Sequence, residues 1–101
     1  MTPEQIAKIR TYAGQLIGAG VPIPVADGLT RYLVFRHEPD SFLRAVLKND
    51  LRGSVARADE VGDAVALAAL PNIVRFLEQH APPSSFGHPT FVVNWLKGVG
   101  A

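Results

Sequence analysis

Cysteine is absent from this chain, which excludes disulfides and thiolate metal sites. That absence fits a reducing compartment, and a cytoplasmic protein is the expectation. Long apolar runs are also missing. No stretch reaches the ~18 uncharged apolar residues of a membrane span, so no membrane partner is expected. The opening "MTPEQIAKIR" carries an acid and an amide where a secretory leader has a basic and then an apolar run, so no leader is expected. Neither sign of charge dominates. Ten Lys and Arg stand against nine Asp and Glu, and a net charge of +1 does not by itself imply nucleic acid. Internal repeats, low-complexity tracts and a composition shift that would mark a second domain are lacking too.

What is present is globular composition: 48% apolar residues and 19% charged. At 101 residues the chain is one domain, residues 1–101, and folding buries roughly 65% of its unfolded surface. The pattern predicts an all-α, single compact domain of five to six short helices in an irregular, orthogonal array.

The first helix is predicted at about 3–17. Thr2 is its N-cap, Pro3 takes the first helical position and Gln5 completes a capping box. Ile6, Ile9, Ala13, Leu16 and Ile17 form its apolar stripe with Tyr12 beside it, and Gly18 and Gly20 stop it. "VPIPV" reads as an extended connector, because residues before proline avoid the helical region. A second helix follows at about 24–35, with Val25, Leu29, Tyr32, Leu33 and Phe35 as its apolar members. A third is expected at about 40–52, capped by Asp40 or Ser41, with Phe42, Leu43, Val46, Leu47 and Leu51 on one side. Within it, "KND" places two poor helix formers, so either a cap at Asn49 or Asp50 starts a new helix or their side chains satisfy nearby backbone. Gly53 ends or loosens the segment, and "SVARADEVGD" reads as one more helical turn and a loop. A fourth helix, about 62–79, has Ala64, Leu67, Leu70, Ile73, Val74 and Leu77 as its buried set. It kinks or breaks near Pro71, which has no N–H to continue the backbone ladder. "TFVVNWL" has some strand character, but Pro89 and the 91/92/95/96 spacing favour a last helix at about 89–97, with Phe91, Val92, Trp95 and Leu96 inward.

Chemistry is hard to find. His37, His80 and His88 have no partner at helical metal spacing, and His88 is placed to cap the last helix. Asp59, Glu60 and Asp63 cluster, but their spacing fits no calcium loop and suits capping and solvation. Ser84 and Ser85 lack a nucleophile elbow, and "GAGVPIP" has no lysine or preceding strand to make a phosphate loop. The reading is therefore not an enzyme, with no catalytic residue, no metal and no cofactor.

The feature that remains is basic. Arg44, Lys48 and Arg52 recur every four residues, which on one continuous helix puts them on one face. Arg31, Arg36 and Arg57 flank them. From residue 31 to 57 there are six basic and three acidic residues, and the sign reverses from Asp59 to Asp63. Asp40 is placed to pair with Arg44 at i,i+4, while Lys48 and Arg52 repel slightly. Such asymmetry suits docking on a charged protein or a nucleic-acid backbone. The plain alternative is that the long stems cover the core edge and the heads are solvated.

The pattern "RYLV…SFLRAVLKNDLRGSVARADE…IVRFLEQHAP…GHP…VVNWL" resembles small uncharacterised proteins encoded in phages and prophages. The likeness spans residues 29–96 and leaves the first 20 outside. It departs from the pattern at "EPDSF", around "VGDAVALAALP" and at "GHPT". The resemblance implies a mobile-element context, whose small products include regulators and inhibitors of host machinery, anti-CRISPR proteins among them. It implies no enzymatic activity and names no site. The expectation is then a non-enzymatic protein-binding module, a phage-derived inhibitor of a bacterial defence complex acting by surface docking. Its partner-binding residues are expected to be Arg36, Arg44, Lys48 and Arg52. Its net charge is unlike that of an acidic DNA mimic. The alternatives are a small nucleic-acid-binding protein using the same stripe, and a self-associating protein, a homodimer included, that buries Phe86, Phe91 and Trp95 between copies.

Overall fold

Helix starts and stops in this chain are set by specific caps, and they cut it into more pieces than periodicity predicts. The computed structural model describes residues 1–98. Seven α-helices run Pro3–Gly18 (α1), Ile23–Phe35 (α2), Ser41–Leu47 (α3), Leu51–Val61 (α4), Ala64–Ala68 (α5), Leu70–His80 (α6) and Pro89–Leu96 (α7), with a 3-10 turn at Pro83–Ser85. Among the described residues there is no strand. The count exceeds the expected five to six because two long predicted helices are each divided.

The first division falls at "KND". α3 ends in a Schellman motif. Asn49 takes the left-handed conformation (φ 64°), the Asp50 N–H donates to the Ala45 carbonyl at 2.8 Å, and the Asn49 N–H donates to that of Val46 at 3.0 Å. Asp50 then caps α4, its carboxylate accepting from the Gly53 N–H at 2.9 Å. Gly53 therefore neither ends nor loosens a helix; it sits in the first turn of α4. A Cβ there would collide with the Asp50 carboxylate. Leu51, expected in the core, is 66% exposed, because the restart turns it away from the α3 face. "SVARAD" is not a last turn but the body of α4. The same device recurs at Gly62 (φ 68°) and Asp63: the Asp63 N–H donates to Ala58, and the Asp63 side chain caps α5 through the Ala66 N–H. Pro71 makes the second division. It lies in the first turn of α6, where its missing N–H costs nothing, so the segment breaks at Ala69 and does not kink.

Other caps match expectation. Thr2 and Gln5 exchange both bonds of a capping box, at 2.9 and 3.1 Å. His88 caps α7, its Nδ1 accepting from the Thr90 N–H at 3.1 Å. Ile23, expected extended, is the first residue of α2 and is exposed. Five predicted inward residues are also on the surface: Ile6, Ile17, Ala64, Val74 and Phe91. In α1 the core-facing strip runs through Ile9, Tyr12 and Leu16, so Ile6 and Ile17 fall at its edge. Phe76 is buried instead, its ring 5.9 Å from that of Tyr12 in an edge-to-face arrangement.

Sequential helices pack in pairs, α1 returns to α6, and α7 returns to α3. The radius of gyration, 12.7 Å, is that of a packed domain of about 100 residues. One buried cluster fixes α7. Trp95 is 4% exposed, and its indole N–H donates to the Tyr32 carbonyl at 2.9 Å. The Tyr32 hydroxyl donates to the Ser85 carbonyl at 2.6 Å. Trp95 is thus internal, and of the three residues expected between copies Phe91 is exposed and Phe86 half-buried. The Gly87 N–H closes the frame on the Leu47 carbonyl at 2.7 Å.

Burial pushes the Tyr32 hydroxyl well above its ordinary pKa, against the lowering pull of the Arg36 charge. An unfolded tyrosine ionises near 10 while the folded one holds its proton, so this stability is complete below that pH and is lost above it. The unfolding midpoint should fall above pH ~10, by about 1.4 kcal/mol of stability per pH unit from this residue. Phenolate absorbance would track the unfolding, and Tyr32→Phe should flatten the decline. A flat profile in the wild type would contradict this burial. Separately, Asn49→Ala should cost about 1 kcal/mol in denaturant titration, because alanine resists the left-handed region, while Asn49→Gly should change stability by only a few tenths.

Candidate functional site

α3 is only seven residues long, and its amphipathic pattern puts Phe42, Leu43, Ala45 and Leu47 inside. Arg44 and Lys48 are left on its outer side, half-buried along their stems. Between α3 and α7 lies an open groove of about 290 Å³ lined by Glu38, Arg44, Lys48, Val92, Val93, Leu96 and Lys97. Between α3 and α4 lies another, of about 490 Å³, lined by Ser41, Arg44, Ala45, Lys48, Asp50, Gly53, Ala56, Arg57 and Glu60. Arg44 and Lys48 line both, so they form a basic ridge between two grooves.

The two grooves differ electrostatically. On the α3/α4 side Arg57 is held by Glu60 at 3.2 Å, and Asp50 adds a further carboxylate. On the α3/α7 side Lys48 and Lys97 face a single carboxylate, Glu38, which pairs with Arg44. Asp40, expected to pair with Arg44, instead caps α3 by accepting from the Leu43 N–H at 2.8 Å. The α3/α7 groove therefore combines three cations with an apolar floor: Val92 is buried, Leu96 half-buried and Val93 43% exposed.

The four residues expected to bind a partner are not brought together. Arg44 and Lys48 are adjacent, as read. Arg52 is not on their helix, because α3 ends at Leu47. On α4, Gly53, Ala56, Arg57 and Glu60 face the groove, and at 100° per residue Arg52 points about 90° from that face. The stripe of one continuous helix face is thus corrected to a two-residue ridge. Arg36 has an internal role. It terminates α2 in the left-handed conformation (φ 60°), its guanidinium lies 3.4 Å from the Trp95 ring centroid, and its Nη1 donates to the Trp95 carbonyl at 3.0 Å.

Sequence reasoning missed Lys97, Val93 and Leu96 as neighbours of the ridge. They are some fifty residues away along the chain, and only the return of α7 onto α3 joins them. Each histidine lies against an aromatic ring: His37 on Phe35, His80 on Phe76 and His88 on Phe91. Among the described residues no three His, Asp or Glu side chains converge as a metal site, and no helix is long and apolar enough to cross a membrane. Compared with known proteins, the chain matches no family model, no curated protein and no solved structure.

Arg36→Ala should lower stability by about 1–2 kcal/mol through the lost stacking and carbonyl bond. Thermal unfolding measures this, and a variant with wild-type stability would show that the Trp95 contact contributes nothing.

Proposed function

We propose that this chain is a non-enzymatic protein-binding module that docks through the α3/α7 groove and the Arg44–Lys48 ridge. The observation that carries this is the placement of Arg44, Lys48 and Lys97 around exposed Val93 and half-buried Leu96. Charged rims around apolar floors suit protein surfaces, where the floor contributes affinity and the rim orients the approach. The groove is open and at the small end of ligand-pocket size, so it suits one or two side chains of a partner better than an enclosed metabolite. The resemblance to phage and prophage proteins supplies a setting: an inhibitor of a bacterial defence complex, anti-CRISPR-like, acting in the cytoplasm of the host. With a net charge of +1 it would work by blocking a protein surface and not by imitating DNA.

The test is affinity capture from bacterial lysate, run with and without nuclease treatment. The baits are the wild type, a Lys48→Gln, Lys97→Gln double variant and Arg52→Glu. A specific protein should be held by the wild type and by Arg52→Glu and reduced about tenfold or more by the double variant. Equal retention by all three would return the ridge to a solvated edge. Capture that disappears with nuclease would favour nucleic acid.

A further inference from the structure

We infer that the α3/α7 groove takes an acidic amphipathic protein segment, and that Glu38 occupies the segment's carboxylate position while the groove is empty. This rests on the reading of the groove as a docking surface, and it names the chemistry of the partner. Glu38 lies in the connector between α2 and α3 and places its carboxylate on the Arg44 guanidinium. The pair is exposed, with side-chain accessibilities of 37% for Arg44 and 64% for Glu38. An ion pair in that setting is weak and exchanges readily with an outside carboxylate. The chain itself therefore shows what Arg44 accepts.

The rest of the groove selects for more than charge. Val93 and Leu96, three residues apart, share one face of α7 and lie between the cations of the two walls. An occupant that satisfies both features has carboxylates flanking one or two apolar anchors, the pattern of an acidic amphipathic helix. Nucleic acid fits less well. Among the described residues no aromatic ring lines this groove to stack a base. Phe91, the exposed aromatic of α7, projects to the other side of the helix.

Glu38 then acts as an internal competitor, because a partner carboxylate must displace it from Arg44. Removing its charge should tighten binding, whereas a merely structural Glu38 would leave affinity unchanged. The experiment is fluorescence anisotropy with three probes. They are a labelled peptide of Glu and Leu with Leu at helical spacing, a shuffled peptide of the same composition, and a single-stranded DNA oligomer. The proteins are the wild type, Glu38→Gln and the Lys48→Gln, Lys97→Gln double variant, each checked for helicity by circular dichroism. The patterned peptide should bind Glu38→Gln about three- to fivefold more tightly than wild type, exceed the shuffled peptide, and lose about tenfold on the double variant. Equal affinity of wild type and Glu38→Gln, equal binding of the two peptides, or preference for DNA would each overturn the inference. If lysate capture depends on Lys48 and Lys97 while the patterned peptide does not bind, this ligand chemistry is wrong and the docking surface stands. If neither occurs, both fall.

Discussion

The position of α7 depends on its two buried side chains, Val92 and above all Trp95. An eight-residue helix has too few internal hydrogen bonds to hold itself in water, so its place must come from tertiary contact. Trp95 supplies that contact in three ways. Its ring is buried, its indole N–H is satisfied by the Tyr32 carbonyl, and its outer face is covered by the Arg36 guanidinium. Tyr32 in turn reaches the carbonyl of Ser85, so the loop before α7 is fixed by the same cluster that fixes the helix. The Gly87–Leu47 backbone bond ties that loop to the end of α3. The groove between α3 and α7 exists because these contacts converge. Loss of Trp95 would remove one wall of it.

The remaining architecture is a matter of stopping and restarting helices. Asp40, Asp50 and Asp63 each cap a new helix by accepting from the amide three residues on. At Asn49 and Gly62 the preceding helix closes through a left-handed residue, so the chain turns within two or three residues and begins again. This yields short helices joined by tight, capped turns. It also moves Leu51 off the face that a straight helix would give it, which is why a pattern read on one continuous helix misplaces it.

Local signals in the sequence are legible because their physics is local. The Thr2–Gln5 capping box, Pro89 with His88 ahead of it, and the "KND" break all involve partners within a few residues. Helical class and most of the core follow from apolar spacing, as with Leu16, Leu29, Tyr32, Leu43, Ile73 and Val92. The site is less legible because it is made by distant pairs. Arg36 looks like one more surface arginine until Trp95, fifty-nine residues later, packs against it. Lys97 reads as a helix-end lysine, and nothing local says that α7 returns to α3. The four-residue spacing of Arg44, Lys48 and Arg52 suggested a shared face, but that inference needs an unbroken helix, and Asn49 and Asp50 break it.

Helix ends also bear on why the cations gather where they do. Arg36, Lys48 and Lys97 are the C-cap residues of α2, α3 and α7. A helix C-terminus carries about half a negative charge, and a cation there stabilises the helix by about 0.3–1 kcal/mol at an exposed site. The acids show the converse, with three of them at N-caps against positive helix ends. Much of the charge in this chain is therefore assigned to its own backbone, and a net charge of +1 conceals that local order. Lys48 and Lys97 stabilise their own helix ends with no partner at all. What distinguishes them from ordinary capping cations is the shared groove: two helix ends with lysines border one apolar floor, and the third cation beside it, Arg44, already holds a carboxylate. A surface of this kind requires no sacrifice of stability, because the charges that would meet a partner already stabilise the helices that present them.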